Sequence, residues 1–332
     1  MAPGTPNEMV ETLEAQARAQ EAQGNQVGLL ETLSTLATVL RELDEGRARS
    51  ALEQAYRVAL TIQDQQGMAQ GLRQLGVLYH LQGGWDRALE LYHRALALQR
   101  EAGDQTWVAM ILGNVAEALQ GKGEFRVALE TYDASLALKM ELQDERGLAL
   151  TWNNIGTVKA RMGDLAGAMQ AFGKGLAIQE KLGDILGKAA TLANIAGIHQ
   201  GQRSWREARE LLEQSLALYE MVGDAMGRAA TLNTLGFVQR RLGDLEGAYQ
   251  RYAGAKDLLQ GLGDVLRVTI PLHNMALIHE ERGEYREALR LMEEVISIDK
   301  RIGHPDLRRD LQTFGRIREK LDRRRDQRLS NN

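Results

Sequence analysis

Residues 143–184 read QDERGLALTWNNIGTVKARMGDLAGAMQAFGKGLAIQEKLGD, and residues 183–224 read GDILGKAATLANIAGIHQGQRSWREARELLEQSLALYEMVGD. Laid over one another, they agree in phase rather than in letters. Gly156 falls on Ala196, Ala168 on Ala208, Phe172 on Leu212 and Gly175 on Ser215. The phase is 40 residues and runs through the chain. Gly-Asp recurs at 103–104, 183–184, 223–224 and 263–264, with Gln63-Asp64 and Gln143-Asp144 in the same places and Gly303-His304 closing the series. About half a period away stand Gly83, Gly123, Gly163, Gly243 and Gly283, with Arg203 filling the remaining place. Self-similarity at a period of this size is the mark of a repeat array.

Between these breaks the pattern is helical. Small residues recur at Gly76, Ala116, Gly156, Ala196, Gly236 and Ala276, and again at Ala88, Ala128, Ala168, Ala208, Ala248 and Ala288. A third small series is Ala95, Ser135, Gly175, Ser215 and Ala255, broken at Val295. Large residues stand beside them at Tyr92, Tyr132, Phe172, Leu212, Tyr252 and Met292. Trp85, Phe125, Leu165, Trp205, Leu245 and Tyr285 follow the inner turn. This predicts two antiparallel helices per repeat, with small residues allowing close approach and large ones filling the space between pairs. Glycine closes a helix in the left-handed conformation, and the acidic residue after it caps the next. One such pair cannot bury its own apolar face, so stacking supplies the core.

Composition agrees and excludes much else. The chain has 332 residues, 4 prolines, 5% aromatics, no cysteine and a net charge of -4. Disulfides, thiolate metal sites and thiol catalysis are excluded, and no global field would gather nucleic acid. The start shows no basic n-region or apolar core of a signal peptide, and no apolar run is long enough to span a bilayer. A cytoplasmic protein is expected. His273 and His279 are six apart, on nearly opposite helix faces rather than at the spacing of a helical zinc pair. No phosphate loop, dinucleotide fingerprint or nucleophile elbow stands between a strand and a helix. The chain is therefore expected to be no enzyme and to need no cofactor and no metal.

The order Leu72, Leu75-Gly76, Tyr79, Ala88, Tyr92, Ala95 resembles the tetratricopeptide (TPR) consensus of large, small and aromatic positions, and Trp152, Ile155-Gly156, Ala168, Phe172 resembles it more closely. The period is 40 rather than 34 and the usual proline near the repeat end is missing, a variant that resembles the LGN/Pins scaffolds and is similar to kinesin light chains and bacterial Rap-type arrays. The resemblance implies an all-α fold, a right-handed superhelical solenoid of antiparallel helix pairs. The expected boundaries are an N-terminal tail and capping helix over 1–24, about seven repeats over 25–302 with the first degenerate, a closing helix over 303–322, and a basic disordered tail over 323–332. From Arg316 to Arg328 there are seven basic and three acidic residues.

In this family the first helix of each pair lines the concave face. Two residues before its small residue stand Gln74, Asn114, Asn154, Asn194, Thr234 and Asn274. Asparagine costs about 0.5 kcal/mol against alanine inside a helix, so four of six at one position require a polar task. Two readings stay open. In one, the amides grip the backbone of an extended peptide, each offering donors and an acceptor. In the other, they bond neighbouring helices. Helices pack about 8–10 Å apart and an extended chain advances about 3.3 Å per residue, so each repeat would serve about three ligand residues. Asn153, Arg161, Asn233, Arg240, Arg241 and His273 are further groove candidates. The arginines suit carboxylates on a ligand, and Glu280-Glu281 makes the last repeat acidic. The expected partner is thus a protein or peptide carrying acidic residues, with no nucleic acid and no membrane, bound by a monomer or weak homo-oligomer acting as a scaffold or adaptor. Two alternatives remain: a receptor for a short signalling peptide that regulates a partner, and a self-assembling structural protein.

Overall fold

The computed structural model describes residues 6–41 and 43–330, with side chains to residue 327. The outermost residues of both expected terminal segments lie outside them. Sixteen helices and no strand are present among the described residues. They divide into two compact units, Met1–Ile178 and Gln179–Asn332. The first holds α1 (Pro6–Ala22), α2 (Gln26–Leu40), α3 (Glu45–Thr61), α4 (Gln65–Leu81), α5 (Trp85–Ala102), α6 (Gln105–Lys122), α7 (Phe125–Glu141), α8 (Glu145–Arg161) and most of α9 (Leu165–Leu182). The second holds α10 (Ile185–Gly201), α11 (Trp205–Val222), α12 (Ala225–Arg241), α13 (Leu245–Gly261), α14 (Thr269–Glu281), α15 (Tyr285–Ile302) and α16 (Leu307–Ser330). Consecutive helices pack on one another from α1 to α8 in the first unit and from α10 to α16 in the second, and the first helices of neighbouring repeats also touch: α4 on α6 and α6 on α8, then α10 on α12 and α12 on α14. This is the helix-pair stacking of a TPR solenoid.

The repeat register is a fit of shapes. Gly76, Gly156 and Gly236 each lie under an aromatic ring, where a Cβ would stand 2.5 Å from Tyr92, 2.6 Å from Phe172 and 2.7 Å from Tyr252. Ala196 and Ala276 oppose the slimmer Leu212 and Met292, and all of these large residues are at most 1% exposed. The third small series meets backbone. Ser135 donates to the carbonyl of Ala109 and Ser215 to that of Ala189, both at 2.8 Å. A Cβ on Gly175 would come 3.2 Å from the equivalent carbonyl of Ala149.

The helix ends follow the 40-residue phase as well. The closing glycines have positive φ, and so do Gln63, Gln143 and Arg203, the three residues that replace glycine in the two turn series, at 57°, 55° and 60°. Asp104, Asp144, Asp184, Asp224 and Asp244 accept from backbone amides of the helices they precede. Glycine often stands three residues after such an aspartate because the capping carboxylate needs the space. A Cβ at Gly147 would lie 2.0 Å from Asp144. A left-handed conformation costs a residue with a side chain about 1–2 kcal/mol, part of which glycine gives back through its greater freedom when unfolded. Gln143→Gly and Arg203→Gly are each expected to stabilise the fold by about 0.5–1 kcal/mol, read as a higher urea midpoint.

Two elements differ from the simple pattern. α14 begins four residues late because Pro271 has no N–H and its ring crowds the preceding turn, so residues 265–268 form turns instead. The closing helix was expected to end at 322 and to lead into a disordered tail, but α16 runs on to Ser330. No glycine or proline follows Gly315, and arginine is a good helix former. The extension is also held in place: Arg324 donates to the Gly283 carbonyl at 2.6 Å and its guanidinium lies 5.8 Å from the Tyr285 ring centroid.

Candidate functional site

Within each unit the first helices place the amide stripe on one face, one position per repeat, because a 40-residue phase returns each residue to the same side of its helix. Of the stripe, Gln74, Asn114, Asn154, Thr234 and Asn274 are half-buried and Asn194 is exposed; Asn233, one residue off it, is also half-buried. The stripe does not behave uniformly. Asn154 donates to Glu117 Oε1 at 2.8 Å, and Asn274 to Asn233 Oδ1 at 3.1 Å, each reaching into the preceding repeat. Among the described residues, the side chains of Gln74, Asn114 and Asn194 make no hydrogen bond within the protein. Asn153 sits one residue off the stripe and is buried at 8% exposure.

The charged candidates are engaged by neighbouring repeats. Arg161 donates to the Gln120 carbonyl at 3.2 Å, and its guanidinium lies 4.7 Å from the centroid of Phe125. Arg241 stands 5.2 Å from Trp205 in the same way. Arg240 forms an ion pair with Glu281. Glu280 is buried and is bound by Arg316 at 2.7 Å and Lys320 at 2.8 Å. The acidic pair of the last repeat is therefore neutralised from within, and α16 lies over α14 with basic residues at four-residue spacing. His273 Nδ1 lies 2.7 Å from Asp310 Oδ1, also on α16. Burial pushes His273 below its ordinary value, against the opposing pull of Asp310.

In the first unit the groove deepens between α6 and α8 into a cleft of about 250 Å³. Met110, Asn114, Glu117, Lys139, Leu150 and Asn154 line it. Met110 and Leu150 are 41% and 58% exposed, giving an apolar rim beside the polar floor. Burial raises the Glu117 carboxyl above its usual range, partly offset by the Asn154 hydrogen bond and by the charges of His80 and Lys139. Lys139 is 7% exposed and its amine is pushed down by burial. Reading first helices alone passes over Lys139, which ends a second helix. The signal was present in its own series, Gln99, Lys139, Gln179, Tyr219, Leu259 and Asp299, as the one cation at a position that is buried in every repeat but that of the half-buried Tyr219. The cleft can hold an extended main chain against amides and a side chain between its walls. Among the described residues no cluster of His, Asp and Glu fit to hold a metal is found, and no helix is long and apolar enough to cross a membrane.

Comparison with known proteins agrees with this architecture. A family model described as tetratricopeptide repeat matches residues 67–141, 147–221 and 227–324. No curated protein matches the chain in sequence. Among solved structures, the apo form of RapI is 18% identical with a TM-score of 0.61, over 82% of this chain and 98% of that one. A Rap protein complexed with Competence and Sporulation Factor is 14% identical with a TM-score of 0.61, over 91% and 89%. BtubC (BKLC) from P. vanneervenii is 17% identical with a TM-score of 0.51, over 79% and 93%. At these identities the likeness is one of fold.

Proposed function

Given that the chain belongs to the tetratricopeptide repeat family, we propose that this protein-interaction scaffold works without catalysis by holding an extended peptide segment of a partner along its first-helix face. The observation that carries the reading is the set of open amides. Gln74 and Asn114 stand on adjacent repeats of the first unit, half-buried, with no partner within the protein. A half-buried amide loses hydration and gains nothing until a ligand's peptide group meets it. Asn194 holds the same position in the second unit. A second reading, a receptor for a short free signalling peptide, is favoured by the Rap protein solved with Competence and Sporulation Factor, a chain of like fold.

The test needs no knowledge of the partner. A random twelve-residue peptide library displayed on phage is panned on the full chain, and the selected peptides are measured by fluorescence polarisation. Each lost hydrogen bond is worth about 0.5–1.5 kcal/mol, so Gln74→Ala with Asn114→Ala is expected to weaken binding by about 10-fold. Unchanged affinity, or no peptide retained by the unaltered protein, would reject the groove.

A further inference from the structure

We infer that the cleft between α6 and α8 selects a ligand segment bearing an aspartate or glutamate, whose carboxylate pairs with the ammonium of Lys139. The inference rests on the peptide-groove reading and gives it a chemical preference at one place.

Lys139 is an unusual residue to bury. Its Nζ makes one hydrogen bond, to Thr151 Oγ1 at 2.7 Å, and among the described residues no carboxylate lies within ion-pair distance. An ammonium carries three donors and no acceptor, so donors remain to be met. Asp144 and Glu117 act on the ammonium only from beyond ion-pair distance. Burying a cation without a contact partner of opposite charge is costly, and the structural task here does not require a charge. In the next repeat Gln179 occupies the same position, and its Oε1 accepts from Thr191 Oγ1 at 2.8 Å. A neutral amide thus makes the equivalent bond between the second helix and the following first helix. The charge is what Lys139 adds.

The space above the amine is also particular to this repeat. Gly113 stands where the other repeats carry Arg73, Asn153, Ala193, Asn233 and His273. A Cβ at Gly113 would lie 3.9 Å from Lys139 Nζ, and that is its nearest contact. The amine therefore faces the open cleft over a residue with no side chain. Nearby acids are committed elsewhere. Asp144 caps α8 by accepting from Gly147 N at 2.9 Å. Glu117 accepts from Asn154. Apolar walls at Met110 and Leu150 thin the water around an incoming carboxylate and strengthen the pair. The surface arginines that first suggested an acidic ligand are held by rings and by Glu281. Two cations line the cleft: Arg73 is held 5.4 Å from the Trp107 ring centroid, and Lys139 is the one with neither a ring nor an ion-pair partner.

The test uses Lys139→Gln, which installs the side chain of the next repeat and leaves the fold intact, as thermal unfolding will verify. Peptides selected from the displayed library by the unaltered chain are expected to share an acidic residue at one fixed place. Changing that residue to its amide should weaken binding to the unaltered chain by about 10-fold or more. The same change should make no difference to Lys139→Gln. Selected peptides without a shared acid, or an acid preference that survives in Lys139→Gln, overturn the inference. If that happens while Gln74→Ala with Asn114→Ala still weakens binding, the groove stands and only the carboxylate pairing falls. If the unaltered chain retains no peptide, both fall.

Discussion

Truncating Phe172 to alanine is expected to destabilise the first unit by about 3–5 kcal/mol, the usual range for emptying an aromatic site in a packed core. The ring is 1% exposed and lies on Gly156, where a Cβ would come 2.6 Å from its edge. Neighbouring helices cannot collapse into the space without losing the contacts between repeats that hold the array together. The same contact makes a sharper prediction from the opposite side. Gly156→Ala should cost about 1–3 kcal/mol by overpacking, despite the better helix propensity of alanine. Combining it with Phe172→Leu reproduces the Ala196–Leu212 pair of the next repeat, and the two changes together should cost less than their separate effects added. Urea unfolding of the four proteins supplies the cycle. Additive costs would show that the two positions do not face each other.

Removing the charge of Asp299 is the second large effect, and here the expected sign is stabilising. Asp299 on α15 is fully buried and neither of its oxygens is met by a hydrogen-bond donor. It faces Asp310 on α16, itself 2% exposed. His304 Nδ1 is 3.9 Å away, Asp306 adds further negative charge, and Arg309 and His273 attend Asp310 rather than Asp299. Burial, then the neighbouring Asp310, raise the Asp299 carboxyl from 3.8 to about 6. The folded state thus keeps a proton that the unfolded chain gives up. The corresponding stability is fully present below about pH 4 and is lost as pH rises through about 6. A shift of this size corresponds to about 3 kcal/mol at most. Asp299→Asn should therefore stabilise the second unit by about 2–3 kcal/mol at pH 8 and by little at pH 4.5. His273, lowered by burial, contributes the opposite slope at acid pH, and that slope persists in the variant. Urea midpoints at both pH values, compared between the two proteins, decide the matter. A gain that does not change with pH would place the Asp299 titration elsewhere.

Much of this molecule was legible in its letters because repetition is local. Helix ends are set by residues a few places apart, so Gly-Asp and its substitutes marked every turn, including the left-handed Gln63, Gln143 and Arg203. The register of small against large side chains could be read from one repeat and checked on the next. The late start of α14 has an equally local cause in Pro271, which the reading of the repeat passed over. The amide stripe was legible because period and helix geometry place it at one position of every first helix, while its assignment to a ligand groove came from the family resemblance.

What the stripe does was decided only in three dimensions. Whether an amide stays open depends on a residue 36–41 places away: Asn154 meets Glu117 and Asn274 meets Asn233, while Asn114 meets nothing. Arg161, Arg240 and Arg241 look free in a linear reading and are held by partners at the same distances. Lys139 looks like an ordinary helix-end lysine until burial, the bare Gly113 and the absence of an ion pair are seen together. The 40-residue spacing, the capping pairs and the alternation of sizes determined the fold, because each acts between residues close in sequence or repeated in phase. The tertiary structure alone decided which polar groups remain for a ligand, because neighbouring repeats compete for the same donors and acceptors.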